Sequence, residues 1–332
     1  MFFTGGRLIT ALLGAASCLL ISPAAAFTNP VRRPGGSDPQ ISYSGGYYYL
    51  LSTSWKNVQI SRATTIDGLK TATPKVVYSS AEASRCCNVW APETHYLDGV
   101  WYIYFTAGNG KNLDGQNLHV LKGGPTPWDD FTYAGKLTDE WSIDGTVVRF
   151  NKWGNYLASS CFHGVQYQSL CIQKLGDDNV SLKGNISVIS QPTESWERSR
   201  TPVNEGPAAL YIQETGKTYI VYSANDCWTP DYCLATLEWD GNTDPASAAA
   251  WKKSSGCVFK GGVNGHYGTG HNGFFRSPDG SQTWNVYHAT SNSNGACDDS
   301  RYTMVQVLGS NSDGSPNFGT PVALDYNSAE PR

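Results

Sequence analysis

The stretch DPQISYSGGYYYLLSTS, residues 38–54, has the pattern of a β-hairpin, because two strand-like runs rich in Tyr and Leu flank a glycine pair. The chain repeats this pattern four more times. The later stretches are APETHYLDGVWYIYFTA (91–107), DGTVVRFNKWGNYLASS (144–160), EGPAALYIQETGKTYIVYSA (205–224) and HNGFFRSPDGSQTWNVYHA (271–289). The first residues of successive stretches are 53, 53, 61 and 66 positions apart. A strand repeat of this length predicts an all-β fold, a five-bladed β-propeller with one blade per repeat.

The first residues of the five repeats form the candidate site. In a propeller the innermost strand of each blade lines a central channel, so these residues should meet around one axis. They are Asp38, Ala91, Asp144, Glu205 and His271. Because strand side chains alternate between two faces, the next layer of the channel should be Gln40, Glu93, Thr146, Pro207 and Gly273. Three carboxylates at one mouth raise each other's pKa, so such a cluster is unfavourable unless it has a use.

Each of the three acids has an ordinary explanation when it is taken alone. Asp38 precedes a proline and Asp144 precedes a glycine, and both pairs are typical of turns. The recurrence of an acid at one register of a repeat favours a shared function over three unrelated turns. We therefore interpret Asp38, Asp144 and Glu205 as candidate catalytic residues, each at a junction between a loop and a strand.

The first 26 residues have the features of a secretory signal. Arg7 precedes the apolar run ALLGAASCLLI, and three alanines ending at Ala26 resemble a cleavage site. We expect residues 1–26 to be a signal peptide and residues 27–332 to form one propeller domain, since the repeats are evenly spread and no linker interrupts them. No other stretch is long and apolar enough to span a membrane, so the protein is predicted to be secreted.

Composition narrows the class of ligand. Only 16% of the residues are charged and the net charge is −4, so the chain lacks the basic stripe that nucleic-acid binding requires. Aromatic residues make up 12% of the chain, with 11 Trp and 19 Tyr. Strand propensity explains most of the tyrosines but not all of the tryptophans. Low charge together with many aromatic residues favours a neutral, hydroxyl-rich ligand such as a sugar.

Eight of the nine cysteines follow the predicted signal, and an even number in an exported chain suggests disulfides. The pairings that spacing suggests are Cys161–Cys171 across a short turn, Cys227–Cys233 within the loop CWTPDYC, a vicinal Cys86–Cys87 bridge, and Cys257–Cys297 as the remaining pair. Eight cysteines allow 105 pairings, so the sequence does not decide between them.

Two glycosylation sequons lie close together, at Asn179 and Asn185. They predict a surface loop and a eukaryotic secretory route. The sequence does not determine whether either site carries a glycan.

Hydrolysis of a glycosidic bond requires two carboxyl groups with different roles. One must be protonated to assist the leaving oxygen, and the other must be ionised. A third carboxylate can hold up the pKa of the acid by like-charge repulsion. A ring of two aspartates and one glutamate fits this division. Glu205 has the longer side chain and suits the role of the proton donor. Asp38 lies on a different blade and can approach the sugar from the opposite face.

Several motifs together make the resemblance specific. They are SDP (37–39), WAPE (90–93), SIDGT (142–146), NEGP (204–207), GHNGFF (270–275) and DGSPNFGTPV (313–322). In this order the set resembles glycoside hydrolase family 43, over nearly the whole of the chain that follows the predicted signal. It is most similar to the exo-α-1,5-L-arabinofuranosidase branch, for which YIVYSANDCWTPDYCLATL (219–237) is the most specific stretch.

The resemblance implies roles for the three acids. The family consists of five-bladed propellers with an inverting mechanism, in agreement with the five repeats. Asp38 would be the base that activates water, Glu205 the general acid, and Asp144 the residue that tunes and orients Glu205. Inversion implies that the carboxyl groups of Asp38 and Glu205 stand roughly 6.5–9.5 Å apart, with room for a water between them.

The resemblance also suggests an ion. Similar enzymes place the histidine that corresponds to His271 at the channel centre, near a calcium or sodium ion, and no organic cofactor is expected. A hard cation prefers oxygen ligands, so the alternative is a buried His271 hydrogen-bonded to Glu93 or Gln40. His266, in a glycine-rich loop, is expected to be an ordinary surface residue.

Five further residues are candidates for sugar binding. Trp55 and Trp90 would stack on a furanose ring, or else pack between blades, and Ala91 would leave space for the sugar. Arg301 corresponds to an arginine that contacts a sugar hydroxyl in the family. Residues 159–164, SSCFHG, depart from the Trp-containing stretch that is typical of the branch. We expect Phe162 to replace that tryptophan.

The sequence therefore predicts a secreted, inverting hydrolase that releases terminal L-arabinofuranose from α-1,5-linked arabinan and arabino-oligosaccharides of plant cell walls. The alternatives are an endo-arabinanase, a β-xylosidase or a galactan hydrolase on the same fold, a non-catalytic carbohydrate-binding propeller, and a structural propeller. A monomer is expected, without a nucleic-acid or membrane partner.

Overall fold

The computed structural model describes residues 1–2 and 26–332 of the chain. The predicted signal peptide, including Cys18, therefore lies almost entirely outside the described residues, and its existence stays a prediction.

Five antiparallel sheets follow one another along the chain and form a five-bladed β-propeller, which confirms the predicted fold class. The first twelve strands are β1 (Ala26–Thr28), β2 (Gln40–Ser44), β3 (Tyr47–Leu51), β4 (Val58–Ala63), β5 (Lys75–Tyr78), β6 (Cys87–Leu97), β7 (Val100–Gly108), β8 (Asn117–Lys122), β9 (Thr132–Lys136), β10 (Ser142–Phe150), β11 (Gly154–Cys161) and β12 (Ser169–Leu175). The remaining strands are β13 (Leu182–Ser190), β14 (Asn204–Ile212), β15 (Lys217–Ala224), β16 (Cys233–Trp239), β17 (Trp251–Lys253), β18 (Phe259–Lys260), β19 (Tyr267–Arg276), β20 (Thr283–Thr290), β21 (Tyr302–Val307), β22 (Gly309–Ser310), β23 (Pro316–Asn317) and β24 (Asn327–Ala329). Three short 3₁₀ helices cover Asp67–Lys70, Ser195–Glu197 and Ala248–Ala250.

Each blade is a meander whose strands pair in chain order. Blades one to three contain β2–β5, β6–β9 and β10–β13. Blade four contains β14–β17, with β18 beside β16, and blade five contains β19–β21. The first hairpin of every blade turns at a glycine with positive φ, as the sequence predicts, and such a backbone favours a residue without a Cβ. These glycines are Gly46, Gly99, Gly154, Gly216 and Gly280.

The hydrophobic core lies between blades and not on the propeller axis. Five clusters of buried apolar residues each join two neighbouring blades. For example, Val148 of blade three and Ile220 of blade four belong to one cluster, and Ile60 of blade one and Phe105 of blade two belong to another. Because burial of this apolar surface stabilises the ring from the sides, the axis is free to hold polar residues.

The N-terminal segment closes the ring against blade five, which has only three strands of its own. The backbone N–H of Val31 donates to the carbonyl of Thr303 at 2.8 Å, and the N–H of Thr303 donates to Arg32 at 3.0 Å. The side chain of buried Asn29 also pairs with the backbone of Val305. Its Nδ2 donates to the Val305 carbonyl, and its Oδ1 accepts from the Val305 N–H, both at 2.8 Å.

Four disulfides are present, and two of the pairings suggested by spacing are wrong. The bridges are Cys86–Cys87, Cys161–Cys171, Cys227–Cys297 and Cys233–Cys257. The edge strand β18 lies beside β16 and brings Cys257 to Cys233, which leaves neither available for the predicted partners. Cys227 instead joins the loop before β16 to the loop before β21. Spacing failed here because both bridges join segments that only the tertiary fold brings together.

The two sequons differ in exposure. Asn185 lies exposed on β13, as a glycan acceptor requires. Asn179 is buried, and its Nδ2 donates to Asp98 Oδ2 at 2.9 Å. The prediction of a surface position is therefore wrong for Asn179, which serves a structural contact between blades three and two.

His266 is also not the surface residue that its glycine-rich loop suggested. Its ring is buried, with Nδ1 at 2.7 Å from the Tyr302 hydroxyl and Nε2 at 2.8 Å from the Val322 carbonyl. It is a core histidine in which both ring nitrogens have partners.

No helix among the residues that the structure describes has the length and apolar character needed to traverse a lipid bilayer.

Asn29→Ala should destabilise the propeller without changing its site. The substitution leaves the buried N–H and carbonyl of Val305 without partners, which costs roughly 2 kcal/mol or more. Urea unfolding followed by tryptophan fluorescence measures this loss, with Asn242→Ala at an exposed loop position as the control. Equal unfolding free energies for the two variants would contradict the closing role of Asn29.

Candidate active site

At the head of every blade, in its first strand or just before it, a residue with positive φ lies near the mouth of the channel. These residues are Asp38 (52°), Ala91 (44°), Asp144 (60°), Gly206 (54°) and His271 (41°). A non-glycine residue adopts this conformation only when its surroundings compensate for the strain. At four of the five positions the register of the strand pair shifts, as in a β-bulge, so the residue leaves the ladder and faces the channel.

The preceding blade supplies the compensation. A side chain from the second strand of one blade, or from just after it, accepts the backbone N–H of the kinked residue in the next blade. The pairs are Thr53 with Ala91 (2.9 Å), Thr106 with Asp144 (3.0 Å), Ser223 with His271 (2.7 Å) and His288 with Asp38 (3.1 Å). These bonds replace the ladder hydrogen bonds that the kink removes and fix the blades relative to one another.

Blade four departs from this arrangement. Ser160 stands where Thr106 and Ser223 stand in their blades, but its hydroxyl donates to the Asn204 carbonyl at 2.7 Å. The N–H of Gly206 donates instead to Asp144 Oδ2 at 3.0 Å. A carboxylate thus takes the place of the missing hydroxyl, and it joins Asp144 to the strand that carries Glu205.

The kinked residue of blade four is Gly206, so the predicted register of this blade is wrong by one residue. Glu205 precedes the kink, and the next channel layer contains Ala208 where Pro207 was expected. Glycine is favoured at the kink, because φ is positive there and a Cβ at position 206 would crowd Cγ of His271 at 3.0 Å. The glutamate reaches the site from the neighbouring position.

His271 lies between two of the three acids. Its Nδ1 is 3.3 Å from Asp38 Oδ1 and 3.9 Å from Asp144 Oδ2. Burial alone would lower the pKa of His271, but the charges of Asp38, Asp144 and Glu205 raise it. An imidazolium at the centre of the ring therefore balances part of the negative charge of the carboxylates.

Asp38 is held in its ionised form. Its Oδ2 accepts from the Thr53 hydroxyl at 2.6 Å, and its Oδ1 accepts from Arg301 Nη1 at 3.1 Å. Burial would raise the pKa of Asp38, but the positive charges of Arg301 and His271 hold it well below its usual range. His288 itself stays neutral, because burial and the charge of Arg301 lower its pKa to about 3.

The other two acids are shifted in the opposite direction. Burial, reinforced by the negative charges of Glu205 and Asp38, raises the pKa of Asp144 to about 7 despite the opposing effect of His271. Burial also raises the pKa of Glu205. The Glu205 carboxyl group receives two hydrogen bonds, from Tyr232 to Oε1 and from Gln168 Nε2 to Oε2, each at 2.8 Å. The site therefore contains one strongly ionised carboxylate and two that retain a proton more easily.

The expected ion at His271 has little support from the surrounding side chains. Among the described residues, no group of three or more His, Cys, Asp and Glu is arranged to hold a metal. The Nδ1 of His271 faces Asp38 and Asp144, and a protonated imidazole does not ligate a cation. The residues present thus do not fit a protein-built cation site, and the ion stays a prediction.

The predicted sugar-binding residues occupy different places. The rings of Trp55 and Trp90 meet edge to face at 5.8 Å, and the indole N–H of Trp55 donates to Asp299. Ala91 is buried at its kink. Phe162 is 42% exposed and packs against Trp141 with ring centroids 4.8 Å apart.

Arg301 is 4% exposed, and its contacts are with Asp38 and the Asp298 carbonyl. This position favours stabilisation of the Asp38 charge over contact with a sugar.

A cavity of about 500 Å³ continues along the channel beyond the acids. Its inner wall contains Gln40, Glu93 and Thr146, the second layer predicted from the repeat, and its far end contains Arg149 and Arg276. The three acids do not line it, so the candidate site is the opposite mouth of the channel.

Comparisons with known proteins agree on the family. The profile described as Glycosyl hydrolases family 43 matches residues 27–316. A relative from Streptomyces avermitilis named Extracellular exo-alpha-(1->5)-L-arabinofuranosidase is 34% identical, over 96% of this chain and 70% of its own length. The Alpha-L-arabinofuranosidase 43 of Humicola insolens is 32% identical, over 92% of this chain and 66% of its own. The crystal structure of an alpha-L-arabinofuranosidase from Lactobacillus brevis superposes with a TM-score of 0.82 at 30% identity, covering 90% of this chain and 98% of that one.

Gly206→Ala should destabilise the protein more than Gly216→Ala. Both glycines have positive φ, so alanine costs about 1 kcal/mol at either position. Only at position 206 does the new Cβ also press on His271, whereas position 216 has open space. Thermal unfolding of the two variants measures the difference, and equal losses would show that His271 does not require a glycine at its side.

Proposed function

The chain belongs to glycosyl hydrolase family 43 and is a glycoside hydrolase, and from this premise we propose that it is a secreted exo-enzyme that releases terminal L-arabinofuranose from α-1,5-linked arabinan and arabino-oligosaccharides. The observation that carries the proposal is the convergence of Asp38, Asp144 and Glu205 around His271, with opposite pKa shifts on the first and the last. The names of the most similar relatives support arabinofuranose as the sugar.

Asp38 is the proposed general base. Its low pKa keeps it ionised in neutral and mildly acidic solution, so it can accept a proton from water that attacks the anomeric carbon. Thr53 and Arg301 hold its two oxygens, which fixes the direction from which the water approaches.

Glu205 is the proposed general acid. Its raised pKa favours the protonated form, and its proton passes to the glycosidic oxygen as the bond to the anomeric carbon breaks. The hydroxyl of the water joins the anomeric carbon and its proton passes to Asp38. A single displacement of this kind gives β-arabinofuranose from an α-linked substrate.

Asp144 is the proposed orienting residue. Its Oδ2 accepts the N–H of Gly206, so it holds the backbone next to the acid, and in its ionised form Asp144 opposes the ionisation of Glu205. The expected separation of 6.5–9.5 Å between the Asp38 and Glu205 carboxyl groups remains a prediction, as does an ion at His271. No step of the mechanism depends on that ion.

The Trp55–Trp90 pair and exposed Phe162 are the proposed sugar platforms, because aromatic faces pack on the apolar faces of sugar rings. Export is supported by four disulfides and by the word extracellular in the names of two relatives. The protein is proposed to act as a monomer.

Glu205→Gln should abolish most of the release of arabinose from debranched arabinan, by roughly 10²–10⁴-fold, because the amide cannot donate a proton to the leaving oxygen. The loss should be much smaller on an aryl arabinofuranoside, whose leaving group needs little protonation. Chromatography of the products measures both, with Glu214→Gln at an exposed position as the matched control.

The same assay tests the substrate. The proposal expects arabinose alone from arabinan, and little product from xylan or arabinoxylan. A ladder of oligomers would instead indicate an endo-acting enzyme, and full activity of Glu205→Gln on arabinan would remove Glu205 as the acid.

Arg301→Ala should shift the acid limb of the pH profile to higher pH. Arg301 lowers the pKa of Asp38, so its removal raises that pKa, and the base becomes protonated at a pH where the wild type is still active. The pH dependence of kcat/KM for arabino-oligosaccharide cleavage measures the shift. Arg301→Lys, which keeps a positive charge, should show a smaller one, and an unmoved acid limb in both variants would contradict the role of Asp38 as base.

A further inference from the structure

Two side chains from other parts of the fold contact the Glu205 carboxyl group, one on each oxygen. The Tyr232 hydroxyl is 2.8 Å from Oε1, and Gln168 Nε2 is 2.8 Å from Oε2. Tyr232 lies just before β16, in the same blade as Glu205, and Gln168 lies before β12 in the preceding blade. The two contacts therefore hold the carboxyl plane from two directions.

Both partners are rigidly placed. The Gln168 carbonyl accepts the N–H of Asn204 at 2.9 Å, next to Glu205 itself. The ring of buried Tyr232 stacks on His288, with centroids 5.6 Å apart and planes 3° from parallel. A Cβ at position 270 would overlap the Tyr232 ring, so the glycine there leaves the space that the ring occupies.

The loop that leads to Tyr232 is also tied across the mouth of the channel. The Cys227–Cys297 disulfide joins it to the loop that leads to Arg301, the partner of Asp38. The two loops pack so closely that a Cβ at Gly295 would overlap the backbone of Thr229. The residues that hold the base and the acid are therefore parts of one cross-linked pair of loops.

The two contacts differ in what they can do when Glu205 gains or loses a proton. The Gln168 amide nitrogen only donates, so a proton on Oε2 would face another donor. A phenol hydroxyl can accept from Oε1–H or donate to an ionised Oε1. The geometry therefore favours Oε1 as the oxygen that carries the proton, with Tyr232 able to bond it in either state.

We propose that Tyr232 is a positioning residue for the acid Glu205: it holds the proton-bearing oxygen Oε1 in place and donates its own hydrogen bond to that oxygen as the proton leaves. This inference rests on the proposed function, in which Glu205 is the acid. When substrate binds, the proton of Oε1 turns from the Tyr232 oxygen to the glycosidic oxygen and passes to it, while Tyr232 keeps its own proton and donates its O–H to Oε1. Because a hydrogen bond to a charged acceptor is stronger than one to a neutral acceptor, the contact strengthens as the carboxylate forms.

Several charged groups act on Glu205 besides Tyr232. His271 favours the ionised carboxylate, whereas Asp38 and Asp144 oppose it, and Gln168 is neutral. A change in the pH profile can be assigned to Tyr232 only if these residues stay in place. Tyr232→Phe meets this condition, because it keeps the stacked ring and removes only the hydroxyl.

The test compares the wild type, Tyr232→Phe and the matched control Tyr287→Phe. Tyr287 is also buried and donates to Gln306 Oε1 at 2.8 Å, but as the neighbour of His288 on β20 it faces away from the channel. Each protein is assayed for kcat and KM on arabinobiose and on an aryl arabinofuranoside, over a range of pH, and its unfolding temperature is measured.

Tyr232→Phe should lower kcat on arabinobiose about ten-fold or more and leave KM nearly unchanged, since the lost bond is strongest in the transition state. The alkaline limb should move to higher pH, because a carboxylate without this donor holds its proton more tightly. Activity on the aryl substrate should change little. Tyr287→Phe should lower the unfolding temperature and leave the pH profile unchanged.

An alkaline limb that stays in place in Tyr232→Phe, or an equal loss of kcat on both substrates, would overturn the inference while the wild type remains active. If the wild type released no arabinose from any substrate, the proposed function itself would fail. Gln168→Met is a second variant, which removes the hydrogen-bond donor to Oε2 and keeps a side chain of similar length. We expect it to shift the alkaline limb in the same direction.

Discussion

The kinked residue at the head of each blade is the constraint on which the site depends. A backbone with positive φ at Asp38, Asp144 and His271 turns these residues toward the axis. Each kink persists because a side chain from the preceding blade accepts the freed N–H, as Thr106 does for Asp144. The same hydrogen bonds therefore hold adjacent blades in register and aim the functional groups, so the closure of the ring and the construction of the site are one process.

The division of labour among the acids follows from their neighbours and not from their type. Asp38 contacts Arg301 and lies beside His271, so it remains ionised although it is buried. Glu205 has only neutral hydrogen-bond partners on its two oxygens, so burial dominates and raises its pKa. The same functional group in two environments thus has opposite pKa shifts, as the proposed roles of Asp38 as base and Glu205 as acid require.

The sequence predicted the blade count and the convergence of the acids, because a hairpin repeated at regular spacing constrains topology strongly. It missed the register of blade four, since the pattern aligned Glu205 with Asp38, and Gly206 was the available signal that the kink falls one residue later. Thr53, Tyr232 and the Cys227–Cys297 bridge were not predictable. The sequence around a hydroxyl or a thiol does not show which residue, far away in the chain, that group will contact.

The proposed mechanism requires Asp38 and Glu205 to flank one sugar with a water between them. The most direct measurement is the anomeric configuration of the arabinose first released from an α-1,5-linked oligosaccharide, followed by proton NMR before mutarotation equalises the anomers. The account predicts that β-arabinofuranose forms first and that the α form grows in later. Initial release of the α anomer would mean a covalent intermediate and carboxyl groups only about 5–5.5 Å apart, and it would contradict the proposed geometry.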